Sequence, residues 1–204
     1  MNREWVDEKL KMLALRLQDF NVASAHAHRF FFEPTEDVCK KLESGDASDL
    51  QNVASSLAMH LRIIPAPTVR YDWGLKMEPD VAGQIKPDPY LDYIQIPFFY
   101  VGKKYLLQGI LAHELTHALL KSRRILLEDS YENELFTDLT AVFVGLGKLL
   151  LNGYSDEGSG LGYLSPDLIA YCLKEMCRLY VIDRETALGN LTSEARRLVE
   201  HPRT

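Results

Sequence analysis

The densest proline cluster in the chain separates two long stretches of helical pattern. Six of the nine prolines, Pro65, Pro67, Pro79, Pro87, Pro89 and Pro97, fall between Pro65 and Gly102. An α-helix does not survive that spacing, because each proline lacks an N–H and clashes with the carbonyl one turn back. Short β-type runs lie between them: Thr68-Val69-Arg70-Tyr71, Val81-Ala82-Gly83-Gln84-Ile85 and Tyr93-Ile94-Gln95-Ile96. The segment therefore predicts a small antiparallel sheet with irregular loops. The chain as a whole reads as α+β, with residues 1–64 as an N-terminal helical lobe and residues 65–204 as the unit carrying the chemistry.

The helical stretches have their own signals. Trp5, Leu10, Leu13, Leu17 and Phe20 recur at helical spacing with charges between them. Asp46 or Ser48 can cap a helix through Leu50, Val53, Leu57 and Leu61, with Pro34 and Gly45 as punctuation. Beyond Lys103 the pattern predicts helices over 103–122, 130–151, 165–180 and 183–199. The stripe Leu139, Val142, Phe143, Leu146 and Leu150 reads as core, and Gly145 and Gly147 would let helices approach closely. The glycines at 153, 158, 160 and 162 mark a loop.

Composition removes several function classes. Lysine and arginine total 23 against 29 aspartates and glutamates, a net charge of −6. A mildly acidic chain argues against a dominant role on nucleic acid or an anionic membrane, which would want a basic face, and none stands out in the sequence. The most apolar run, Leu139 to Leu151, is interrupted by Gly145, Gly147 and Lys148. It is also shorter than the roughly 20 residues that span a bilayer. The first residues carry scattered charges and no apolar run follows, so no signal peptide is expected. Cys39, Cys172 and Cys177 are odd in number and lack metal-binding pair spacing. They read as reduced thiols of a cytoplasmic protein. The glycine-rich loop lacks a P-loop lysine and does not follow a strand, so nucleotide binding is not expected.

The chemistry concentrates at His113-Glu114-Leu115-Thr116-His117, an H-E-x-x-H pattern. Leu106, Leu107, Ile110, Leu111, Ala118 and Leu119 make its context a helix. Residues four apart on a helix lie one above the other, so both imidazoles share a face and can grip one metal ion. Two neutral imidazoles and a carboxylate in an open tetrahedral site favour zinc. Glu114 can then take a proton from water without being a ligand. A metzincin would need glycine and histidine where Leu120 and Arg123 stand. The next helical stretch instead offers Asn133-Glu134-Leu135-Phe136-Thr137-Asp138. Glu134 can complete the metal site, and Asp138, four residues on, can accept the free ring N–H of His113.

H-E-x-x-H followed by N-E-x-x-x-D resembles the gluzincin clan of zinc peptidases, the thermolysin-like enzymes. The resemblance covers about residues 90–150. It implies a zincin-like fold, with an active-site helix and a glutamate helix beside the small sheet. It also implies that His113, His117 and Glu134 bind Zn2+, that Glu114 is the general base, that Asp138 supports His113, and that Asn133 helps orient a ligand histidine. The substrate would be a peptide or protein, held as an added strand along a sheet edge. Tyr93 to Ile96 is the candidate edge, because it ends shortly before the active helix. An oxyanion donor is also implied, with Tyr131, Tyr154 and Tyr163 as candidates and Tyr163 preferred for the catalytic role. Two departures stand out: the interval from His117 to Glu134 is shorter than in thermolysin, and no large second lobe fits after residue 150.

Other features have plainer readings. His26 and His28, His60 and His201 lack the neighbours of a metal site. Phe30-Phe31-Phe32 suits packing of the N-terminal lobe onto the core. Lys121, Arg123 and Arg124 suit the negative end of the helix dipole. The rival to an enzyme is a non-catalytic or latent zinc module, an interaction or sensor protein using the same site.

Overall fold

The structure is a computed structural model, and it describes residues 3–20, 30–74, 83–86, 93–155 and 162–201. Helix α1 (Arg3–Arg16) opens the chain, followed by α2 (Glu36–Ser44) and α3 (Ala47–His60). Strands β1 (Thr68–Asp72), β2 (Gln84–Lys86) and β3 (Tyr93–Pro97) come next. The remainder is helical: α4 (Lys104–Ser122), α5 (Ser130–Ala141), α6 (Gly147–Tyr154), α7 (Pro166–Leu179), α8 (Arg184–Leu188) and α9 (Ser193–Glu200). The class is α+β, dominated by helices.

Local chemistry sets several boundaries. Asp46 caps α3 by accepting the Ser48 and Asp49 amides, and Gly45 ends α2 with φ at 73°. Ser165 caps α7, with Pro166 at its first turn, where the missing N–H costs nothing. The helix expected over 103–122 is α4. It is buried on nearly every side, which places it at the centre of a helical layer rather than on its surface.

The sheet corrects two expectations. Its order is β1-β3-β2, with β3 parallel to β1 and antiparallel to β2, so it is mixed and not wholly antiparallel. The run Tyr93 to Ile96 is therefore the central strand and offers no free edge. Its sequence alternates as if one face met water. Yet Ile94, Gln95 and Ile96 are all buried, and Gln95 satisfies its amide by donating to Asp72. The outer strand beside the active helix is β2.

The helix expected over 130–151 is also interrupted. Val142–Leu146 loosens into a wider turn, and Gly145 takes φ of 92°. Two groups from distant parts of the chain use the carbonyls this break frees. His60 donates Nε2–H to the Val144 carbonyl at 2.9 Å, and the Phe32 amide donates to the Gly145 carbonyl at 3.0 Å. Phe30 and Phe31 are buried here, with the Phe30 ring 4.6 Å from that of Tyr180. A further break divides 183–199 into α8 and α9. Gly189 closes α8 and Asn190 follows with φ of 61°. His26, His28 and the glycines at 158 and 160 lie outside the described residues.

One hydrophobic cluster joins these elements, from Val6 and Leu13 of α1 through Leu57 of α3 to Leu111, Phe136, Leu149 and Leu173. α1 also reaches α5 through polar contacts: Trp5 Nε1 donates to Glu132 at 2.9 Å, and Lys9 pairs with it at 3.0 Å. α4 and α6 meet at glycines. A Cβ on Gly153 would stand 2.9 Å from the Gly109 Cα, so the two backbones approach as no larger pair would allow. That contact fixes where the end of α6 falls relative to the middle of α4.

Candidate metal centre

α4 carries His113 and His117 on one face, and α5 packs against that face with Glu134. His113 Nε2 stands 3.0 Å from Glu134 Oε2, His117 Nε2 stands 2.9 Å from the same oxygen, and the two Nε2 atoms are 2.9 Å apart. Among the described residues these three side chains form the group able to hold a metal ion. The helix begins where Asp129 accepts the Glu132 amide at 2.7 Å, a cap worth about 1 kcal/mol. This cap sets the first turn of α5, and Glu134 projects from the turn that follows.

The opposite ring nitrogens define the tautomers. His113 Nδ1–H donates to Asp138 Oδ1 at 2.8 Å. Asp138, fully buried, also accepts the Tyr154 hydroxyl at 2.7 Å and the backbone amides of Tyr163 and Leu164, each at 2.9 Å. The carboxylate is thus supplied with four donors, which holds it in place and holds His113 with its Nε2 turned toward Glu134. Burial and the nearby Asp138 raise the Tyr154 phenol well above its ordinary pKa, so it stays a donor. Asn133, expected to orient a histidine, accepts the Leu127 amide at 3.1 Å instead. The side chain beside His117 Nδ1 is Thr137, with Oγ1 at 3.3 Å.

Three electron-rich atoms at such distances need a cation among them. Burial disfavours a charged His113, but its hydrogen bonds to Asp138 and Glu134 outweigh that and raise it to about 10. Burial also acts to raise Glu134, yet both histidines hold it down at about 2. The pocket therefore favours one positive charge. A metal ion fits the same demand. Zinc ligands at about 2.0–2.1 Å from a tetrahedral ion stand roughly 3.3 Å apart, within about 0.4 Å of the separations here. Two imidazoles with one carboxylate are a donor set of the zinc type.

Glu114 follows His113 on α4 and is buried, 6% exposed. The start of β2 lies against it: a Cβ on Gly83 would come within 2.8 Å of Glu114 Oε1 and 3.0 Å of Ile110. The Tyr163 ring stacks on His113 with centroids 5.6 Å apart, and Tyr131 meets Tyr163 edge-on at 6.1 Å. The structure thus brings together His113, Glu114, His117, Glu134, Asp138 and Tyr163, and it leaves the Asn133 side chain bonded to Leu127 of the α4–α5 connection.

No family model, curated protein or solved structure matches the chain.

Three contributors escaped the sequence reading. Thr137 had a usable signal, since positions 134, 137 and 138 share one helical face. The partnership of Tyr154 with Asp138 depends on the break at Gly145, which the periodicity conceals. Gly83 carries no local signal. No helix among the described residues is long and apolar enough to cross a membrane.

Proposed function

We propose that the chain is a zinc-dependent metallopeptidase of gluzincin type, acting on peptide or protein substrates. The observation that supports this reading is the convergence of His113 Nε2, His117 Nε2 and Glu134 Oε2 within 3.0 Å of one another, beside a buried glutamate on the same helix. His113, His117 and Glu134 would hold the ion. Zinc, when bound, supplies a Lewis acid that polarises a carbonyl and lowers the pKa of water. Glu114 accepts the proton of the attacking water and returns it to the leaving amine. Asp138 keeps His113 aligned while this happens. Tyr163 is the preferred donor to the developing oxyanion. Its stacking on His113 favours it over Tyr131, which is 62% exposed, and over Tyr154, whose hydroxyl is engaged by Asp138.

The test is hydrolysis of a peptide library by the zinc-loaded chain, with Glu114→Gln in parallel. Glu114→Gln should keep its zinc and lose at least about 100-fold in rate, the usual worth of a positioned general base. Equal cleavage by wild type and variant would overturn the mechanism. A latent or non-catalytic zinc module is the second reading, favoured by the close cover of Gly83 over Glu114. Zinc binding without cleavage of any library peptide would select it.

A further inference from the structure

We infer that Thr137 is the positioning residue for His117, fixing the tautomer that turns Nε2 toward the metal centre. Part of this rests on the metal-site reading, since the value of the tautomer lies in the lone pair it presents. The rest is hydrogen-bond direction at Thr137, taken with an ion between the two Nε2 atoms and Glu134. Thr137 is fully buried on α5, one residue before Asp138. Its Oγ1–H donates to the Asn133 carbonyl at 2.9 Å. A hydroxyl has one proton, so with that proton committed Oγ1 faces its other neighbours only as an acceptor. His117 Nδ1 lies 3.3 Å from that oxygen. His117 Nε2 stands 2.9 Å from Glu134 Oε2, so with a cation held between those atoms the ring proton belongs on Nδ1, where Thr137 Oγ1 accepts it.

The consequence is a matched pair of supports on one helical turn. Asp138 sets His113 with a charged acceptor, and Thr137 sets His117 with a neutral one. Both histidines then present Nε2 to Glu134, which projects from the same helix. A neutral acceptor adds no second negative charge behind the ligand, so the charge of the site is set by Glu134, Asp138 and Glu114. Asn133, with its side chain holding the Leu127 amide, contributes its backbone carbonyl as the anchor for Thr137. The α4–α5 connection and the His117 tautomer are therefore linked through one residue.

The experiment compares wild type, Thr137→Val, Thr137→Ala and Thr137→Ser as full chains. Zinc affinity is read by competition with a chromophoric chelator, folding by circular dichroism, and the His117 tautomer by 15N NMR of the imidazoles. Valine keeps the shape without the acceptor, alanine serves if valine disturbs α5, and serine restores the hydroxyl. The expected result is a loss of about 10- to 100-fold in zinc affinity for valine and alanine, the range for removal of such a support. Affinity should recover with serine, and the Nδ1–H form of His117 should give way in the two variants lacking the hydroxyl. Wild-type affinity in a folded valine or alanine variant would overturn the inference and leave the metal site standing. If wild type itself binds no zinc, the metal reading fails. The inference about Thr137 falls with it.

Discussion

Gly83 and Glu114 are in direct contact, and the contact has room for no side chain: a Cβ on Gly83 would reach within 2.8 Å of Glu114 Oε1 and 2.9 Å of its Cγ. The outer strand of the sheet thus begins against the residue proposed to move the proton. The three atoms nearest to such a Cβ belong to Glu114 and Ile110, not to a proposed metal ligand. The metal site and the base consequently have different dependencies.

That difference predicts the behaviour of Gly83→Ala. The added methyl group displaces the Glu114 carboxylate or pushes β2 away from α4. Zinc affinity should remain within about threefold of wild type, while peptide hydrolysis falls at least about 10-fold, since a misplaced catalytic group loses rate steeply. Metal titration and initial rates on one preparation check it. Full activity in the variant would show that Glu114 tolerates the shift.

Removal of the metal should loosen the whole fold. A ligand that binds only the folded chain stabilises it by about 4 kcal/mol when present at 1,000 times its Kd. For a chain of this size that corresponds to a fall in Tm on the order of 10 °C when a chelator is added. His117→Ala should show the lower Tm at the outset and no further fall with chelator. Thermal unfolding of wild type that ignores both zinc and chelator would contradict the metal site.

Gly145→Ala should be among the most damaging single substitutions. The position has φ of 92°, and a Cβ there would stand 2.0 Å from the Phe30 carbonyl oxygen. Backbone strain and collision act together, so a loss of more than about 2 kcal/mol is expected by urea unfolding. A loss below 1 kcal/mol, on the order of an ordinary surface change, would mean that the 30–32 segment does not dock at the break.

His60 should give stability a dependence on pH. Burial lowers its pKa below the ordinary 6.5; the Val144 carbonyl opposes this and Arg62 adds to the lowering. The folded chain then binds the proton less readily than the unfolded chain. The contribution is complete above the unfolded value and is lost as pH falls below about 6.5. Urea unfolding at pH 8 and pH 5.5 should show this loss in wild type and less of it in His60→Gln. Identical losses in both would rule out His60 as the source.

Much of the centre was legible because its geometry is local. His113 and His117 are four apart on one helix, as are Glu134 and Asp138, and such pairs face the same way whatever the tertiary fold. α4 and α7 fall where the helical pattern over 103–122 and 165–180 predicts them. The rest depends on partners distant in the chain. The break at Gly145 is stabilised by His60 and Phe32, neither of which periodicity can connect to α5. The central place of β3 follows from pairing with β1 on one edge and β2 on the other, neighbours that a tyrosine, two isoleucines and a glutamine do not announce. Asn133 does not orient a histidine because its side chain accepts the Leu127 amide in the loop before α5, and Thr137 is the side chain beside His117.

The four donors on Asp138 come from residue 113 on α4, residue 154 at the end of α6, and residues 163 and 164 beyond it. The pair of helices that bears the histidines and Glu134 is therefore not a portable module. Grafted alone onto another scaffold, or cut from this chain before residue 162, it would leave a buried carboxylate short of the groups that neutralise it. Engineering that seeks to borrow this centre has to carry the chain from the end of α5 at Ala141 through Leu164 with it.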